Sequence, residues 1–233
     1  MSLADRILFE DNHLIIVNKL AGEIVQGDKT GDTPLVEAVR EYLRERYHKP
    51  GNVFCGLVHR IDRPVSGAVV FAKTSKALAR MNELMKSRDI RKTYLALVEG
   101  KPAVESQELV SYLRKNEQNN KSYVSPTPKE GYVKAELSYT TVYPLDRYTL
   151  LEVNLHTGRH HQIRAQLAAL GHPIKGDLKY GARRSNADGS ISLHSYRVQF
   201  DHPVRHEQVS VVAPLTGELQ RLVPADALTT APA

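Results

Sequence analysis

The run Tyr94-Leu95-Ala96-Leu97-Val98 restricts the fold more than any other feature of the chain. Consecutive side chains of a strand point to opposite faces, so a strand that is apolar at every position must be covered on both sides. The run therefore predicts a central strand. Residues 13–19 read as a second buried strand, with Leu20-Ala21-Gly22 as the turn after it, and residues 68–72 as a third. Residues 133–143 and 148–155 follow. In the latter, Leu151, Val153 and Leu155 alternate with Glu152 and Asn154, the period of a half-buried strand. Residues 192–200 and 209–212 are late strands.

Helical patterns interleave with these runs. Thr33 is a candidate N-cap with Pro34 at the first helical position, and Leu35, Val39, Tyr42 and Leu43 then share a face. Thr74-Ser75 caps a second helix with the stripe Leu78, Met81 and Met85. Residues 161–170 form a short helix, with Ile163, Leu167 and Leu170 inward, closed by Gly171 and Pro173. Strands interleaved with a few helices indicate an α+β fold: a single catalytic domain over residues 1–223, with a central mixed, largely antiparallel sheet flanked by helices and loops. Residues 101–131 read as a hairpin or loop excursion. Glu117 to Ser122 has nothing to bury, and Pro126-Thr127-Pro128 cannot sit in a central strand. Residues 224–233 read as a disordered tail.

The 233 residues carry a net charge of +6, with 41% apolar and 25% charged side chains, an ordinary globular composition that leans toward a polyanionic partner. The single cysteine, Cys55, excludes an internal disulfide and a thiolate metal site, and it points to a reducing compartment. The apolar stretch nearest the N-terminus, Leu14 to Val17, is too short for a signal peptide or a membrane span. The expected location is cytoplasmic, without a membrane partner, and no obligate protein partner is evident.

Three segments carry the chemistry. His59-Arg60-Ile61-Asp62-Arg63-Pro64-Val65-Ser66-Gly67 sets one carboxylate between two arginines, and an acid among cations stays ionised as a nucleophile or base. Arg91-Lys92-Thr93-Tyr94 is a basic lead into a strand. His156-Thr157-Gly158-Arg159-His160-His161-Gln162-Ile163-Arg164 is a strand-turn-helix junction whose free N–H groups suit an anion. From Gly158 to Arg184 six Lys or Arg side chains face one acid, Asp177, which fits either a phosphate-facing surface or a solvated basic face. The three histidines do not make a metal site, because Gly158 interrupts any helical spacing and no cysteine or carboxylate cluster completes it. His59-Arg60-Ile61-Asp62 has its acid one place too late for a kinase catalytic loop, and no glycine-rich phosphate loop accompanies it. A glycosidase needs a second carboxylate of similar standing, and none lies near a motif.

His59 to Gly67, followed by Ala72-Lys73, resembles the H-R-L-D-x-x-T-S-G motif of the RluA-type pseudouridine synthases. Arg91 to Val98 resembles that family's K-x-Y-x-A-x-V strand, and Gly158 to Arg164 its G-R-x-H-Q-I-R segment. Gly171-His172-Pro173-Ile174, Gly176-Asp177, Leu193-His194 and His202-Pro203 continue the match in order, over roughly residues 5 to 215. Ile61 stands for leucine and Val65 for threonine, which removes one hydroxyl near the active turn. The match begins close to the N-terminus, so the small RNA-binding module that precedes the catalytic domain in some relatives is expected to be missing.

The resemblance implies isomerisation of uridine to pseudouridine in ribosomal or transfer RNA, with no cofactor and no metal. It makes Asp62 the catalytic aspartate, Arg164 its guanidinium partner and Tyr94 the ring that stacks on the target base. Arg60 fills the space of the extruded base or holds a phosphate, and His59 hydrogen-bonds the turn or the substrate. Lys73, Arg159, His161, Gln162, Lys175 and Lys179 are the remaining candidates for RNA contact. The alternative is a non-catalytic RNA-binding or ribosome-assembly module that retains the fold.

Overall fold

The structure is a computed structural model that describes residues 2–28 and 30–228. A 3-10 turn, Ala4–Arg6, leads into β1 (Ile7–Glu10), β2 (Leu14–Lys19), α1 (Leu35–Arg46), β3 (Gly56–Leu57), β4 (Ser66–Ala72) and α2 (Ser75–Ser87). Then come β5 (Arg91–Glu99), β6 (Ser106–Asn116), β7 (Lys121–Ser125), β8 (Val133–Pro144), β9 (Tyr148–Leu155) and α3 (Gln162–Ala169). The 3-10 turn Leu178–Tyr180 precedes β10 (Leu193–Asp201), β11 (Gln208–Val212), α4 (Gly217–Leu222) and a last 3-10 turn, Ala225–Leu228. The chain divides into two compact units: Met1–Arg91 with Ser195–Pro214, and Lys92–His194 with Leu215–Ala233.

In the first unit β2 pairs antiparallel with β1 on one side and with β4 on the other, in the register Leu14↔Ala72 to Lys19↔Gly67. Every residue of β2 and β4 is buried, as their unbroken apolar runs require. Their one face joins α2 and the β10–β11 pair in a core that includes Leu14, Ile16, Val70, Met81, Val198 and Val211. Leu78 and Met85 pack at its edge, so the stripe read from the sequence is the buried face of α2. Thr74 caps that helix, its Oγ1 accepting the Ala77 N–H at 3.1 Å. Helix α1 starts differently from the expectation. Pro34, not Thr33, is the N-cap, and no side chain caps the helix. Its first N–H groups, on Leu35 and Val36, donate to the carbonyls of Ile24 and Val25 at 2.8 and 3.2 Å. A backbone segment thus does the work of a capping hydroxyl.

The second unit is an antiparallel sheet in the order β5-β9-β8-β6-β7. The 101–131 excursion is a hairpin: β6 lies along β8 from Ser106↔Thr140 to Leu113↔Val133 and turns back as β7. Its polar composition fits because only alternate side chains, Ser111, Leu113 and Ser122, are buried. A small cluster of Leu113, Ala135, Ala165 and Tyr180 joins this sheet to α3. Helix α3 closes with the Gly171 N–H on Ala168 and the His172 N–H on Leu167, both at 3.0 Å, while Gly171 adopts φ +95°. This is a Schellman close, and it is the termination that Gly171 and Pro173 signal. The tail differs from the expectation: residues 225–228 form an ordered turn in which Ala227 is buried. The rest of that segment, 229–233, lies outside the described residues. The α+β class with largely antiparallel pairing is the class observed.

Candidate active site

Asp62 stands half-buried on the loop between β3 and β4. The loop is held by its main chain. Val65 N–H donates to the Asp62 carbonyl at 3.0 Å, closing a turn with Pro64 inside it. The next carbonyl, on Arg63, accepts from the Gly22 N–H at 2.8 Å and from the Lys19 ammonium at 3.1 Å. Lys19 is fully buried and also donates to the carbonyls of Leu20 and Glu23, each at 2.8 Å. Three acceptors match the three N–H groups of an ammonium. Burial pulls the lysine down to about 7, against the Glu23 and Asp62 carboxylates, which favour its charge. The Arg63 guanidinium pairs with Asp32 at 2.6 Å, and Arg60 reaches Gln26 Oε1 at 3.4 Å. Lys19, Gly22, Gln26 and Asp32 therefore clasp the loop that carries Asp62.

His59 is an anchor of the same loop. Its Nε2 accepts the Val70 N–H at 3.2 Å, which places the ring proton on Nδ1 and ties the loop to β4. The loop ends at Gly67, with φ +114°, where a Cβ would lie 2.3 Å from the Ser195 carbonyl oxygen. Only glycine fits there.

In the second unit Tyr94 sits in the middle of β5, opposite Val153, and is buried. Arg164, on α3, is held by Asp177 through two hydrogen bonds, Nε to Oδ2 at 2.7 Å and Nη2 to Oδ1 at 2.9 Å. The two side chains are 6% and 1% exposed, so this is a forked ion pair inside the protein. The resemblance implies a pairing of Arg164 with Asp62; within the second unit the bidentate partner of Arg164 is Asp177. In the sequence Asp177 stands only as part of a matched segment, although it is the lone acid in a basic stretch. A lone acid there is the mark of a pairing role.

The guanidinium of Arg164 also lies over the Tyr180 ring, 5.1 Å from its centre. Tyr180 Oη accepts the Ser122 N–H at 2.8 Å, so its own proton faces His161 Nδ1 at 3.0 Å. His161 is thus an acceptor, and burial together with the Arg164 charge drives it down to about 2. His160 stacks on it, with ring centres 3.7 Å apart. His161, a candidate for RNA contact, is held as a neutral ring beside Tyr180 and His160.

Several other candidates for RNA contact have partners inside the protein. Gln162 is spent at both ends of its amide: Oε1 accepts from Thr157 Oγ1 and the Arg159 N–H, and Nε2 donates to the Glu136 carbonyl. The junction before α3 therefore uses these N–H groups internally. Lys73 has a buried side chain and donates to Glu10 at 2.7 Å and to the Asp11 carbonyl at 2.6 Å. Lys175 is bound by Asn186 at 2.6 Å and Glu218 at 2.8 Å. Lys179 is exposed and spans the tip of the β6–β7 hairpin, donating to the carbonyls of Asn119 and Asn120 at 3.1 Å. Arg159 is exposed, with Nε on the Lys134 carbonyl at 3.1 Å, and Arg60 is exposed beside Asp62. Sequence displays each positive charge but hides the distant acid or carbonyl that claims it. Among the described residues no group of three or more His, Cys, Asp or Glu comes together to hold a metal, and no helix is long and apolar enough to cross a membrane.

Residues 13–169 match the family model described as RNA pseudouridylate synthase. The chain belongs to this family. It is an isomerase of the class that converts uridine to pseudouridine. It is 35% identical to the ribosomal large subunit pseudouridine synthase C of Buchnera aphidicola subsp. Acyrthosiphon pisum, over 94% of this chain and 70% of that protein. It is 32% identical to the uncharacterized RNA pseudouridine synthase YhcT of Bacillus subtilis, over 93% of this chain and 70% of that protein. Among solved structures, human RNA pseudouridylate synthase domain containing 4 superposes with a TM-score of 0.78, at 20% identity over 93% of this chain and 91% of that one. That likeness establishes the fold.

Proposed function

We propose that this protein converts specific uridines to pseudouridine in ribosomal RNA, with Asp62 as the catalytic carboxylate and no cofactor. The observation that carries this reading is the loop of Asp62. A family-specific motif places one acid there, and three separate contacts, from Gly22, Lys19 and Asp32, hold the adjacent residue, Arg63. A carboxylate kept half-buried on a fixed loop is a preorganised reactive group. In the reaction the N1–C1′ bond breaks, the uracil turns, C5 bonds to C1′, and the proton lost from C5 is balanced by one gained at N1. Asp62 acts by adding to the sugar or base or by taking a sugar proton. Tyr94 and Arg164 are the family-matched partners of this step, and Arg60 fills the space the extruded base leaves or holds a backbone phosphate beside it. The names of the ribosomal relatives favour ribosomal over transfer RNA, and the cytoplasm is the compartment that goes with such a substrate.

The test is Asp62→Asn, assayed by tritium release from RNA labelled at uridine C5. The expected result is no release, with RNA binding retained. Substantial turnover by the variant removes Asp62 from the chemistry. A wild-type protein that binds RNA and forms no pseudouridine in any ribosomal or transfer RNA makes it a binding module instead.

A further inference from the structure

We infer that a cleft in the first unit, beside the loop of Asp62, binds one unstacked nucleotide of the RNA chain next to the target uridine; the inference rests on the reading of the function given above. The cleft has a volume of about 690 Å³, within the range of clefts that hold small molecules. Its lining comes from Gln26, Gly27 and Pro34, from α1, and from Cys55 and residues 57–60. Val36, Cys55 and Val58 in its lining are buried, so part of the lining is an apolar floor. Burial pushes the Cys55 thiol up to about 12, so the floor is also uncharged.

The polar side chains of the lining are those of Arg40, Arg60, Glu37, His59 and Gln26, so two guanidiniums and an amide share it with one carboxylate, which is the partner of Arg40. An apolar floor under two forked cations and an amide has the chemistry of a nucleotide site: the ring lies on the floor, the amide meets its edge, and the guanidiniums take phosphate. Arg40 is paired on the surface with Glu37, three residues earlier in α1. Both side chains are largely exposed, and such pairs are weak enough to yield to a phosphate. Position identifies which nucleotide is held. Arg60 precedes Asp62 by two residues, which span at most about 7 Å of chain. A nucleotide held by Arg60 is therefore a near neighbour of the one at Asp62. Sequence-selective RNA recognition works on such splayed single-stranded bases.

Gly27 supplies a clean test. It lines the cleft, its φ lies outside the glycine-only region, and a Cβ there would meet nothing within 4 Å. Gly27→Trp fills the cleft without a clash at its root. The wild-type protein is first used to map its modified uridine, and a short RNA hairpin carrying that site is then made with an abasic unit at each flanking position in turn. The expected result is one flanking position at which loss of the base lowers kcat/KM by about tenfold. Gly27→Trp lowers kcat/KM on the intact hairpin by a similar factor and no longer responds to that abasic unit, because the two changes remove one interaction. Arg40→Ala serves as a second variant, expected to lower the salt slope of RNA binding by about one. The inference is overturned if the wild type is indifferent to every flanking abasic unit, or if Gly27→Trp keeps full kcat/KM and an unchanged abasic profile. It is also overturned if free adenosine monophosphate inhibits the wild type while flanking changes are silent, which assigns the cleft to a free nucleotide. In each of these cases pseudouridine still forms, so the outcome is distinct from a failure of the proposed function.

Discussion

Replacing Asp177 by Asn tests whether the forked pair is what holds Arg164 in place. The two side chains are 6% and 1% exposed and share hydrogen bonds of 2.7 and 2.9 Å. Asn keeps the shape but turns one acceptor into a donor that faces the guanidinium and removes the negative charge of the fork. Removing one partner of such a pair costs about 3–5 kcal/mol. For a chain of this size each kcal/mol moves Tm by about 2–4 °C, so the expected drop is about 6–20 °C. The rate falls as well, because Arg164 loses the partner that fixes its orientation. Urea unfolding at pH 7 and tritium release from uridine-labelled RNA read the two effects separately. The double variant Arg164→Met with Asp177→Leu separates them further. Apolar side chains of similar volume replace a buried ion pair with little loss, so stability returns while turnover does not. Asp177→Asn within about 1 kcal/mol of wild type, and with an unchanged rate, refutes the reasoning.

Lys19 predicts a pH dependence of stability. Its folded value lies near 7, below the ordinary lysine range, so between about pH 7 and pH 10 the unfolded chain binds more protons than the folded one. Stability contributed by this group therefore rises with pH across that window, by up to about 1.4 kcal/mol per pH unit, and its burial penalty is fully present below pH 7. Lys19→Met removes that slope in urea midpoints compared at pH 7 and pH 9.5; an unchanged slope sinks the assignment. Arg159→Ala is expected to lower the salt dependence of RNA binding by about one unit of slope in a filter-binding series. Lys73→Met, which breaks the internal pair with Glu10, is expected to lower stability and leave that slope alone. The reverse pattern would return Lys73 to the RNA surface.

What the chain reveals of its own fold divides by range. Period and punctuation are local, so β2, β4, β5, β9, the Thr74 cap and the Gly171 close are all legible in the order of residues alone. The start of α1 is not. Its first N–H groups go to Ile24 and Val25, some ten residues earlier, and no pattern within the helix announces that. The β6–β7 hairpin is only half legible, because a strand with one covered face shows too few apolar residues to outweigh its polar tip. The candidate site divides in the same way. The acid, the tyrosine and the arginine stand in motifs and are found by resemblance, whereas the groups that hold them are distant in sequence. Lys19 reads as the end of an apolar strand, and nothing near it signals that its ammonium ends on the Arg63 carbonyl, forty-four residues on. Five of the proposed site residues share this property in reverse: His59, Lys73, His161, Lys175 and Lys179 have hydrogen-bond partners eleven or more residues away in the chain. A basic count overstates an RNA-facing surface whenever the fold supplies acceptors from elsewhere. In this protein such acceptors hold Lys73 and Lys175 inside the fold, while Arg60, Arg159 and Lys179 remain exposed.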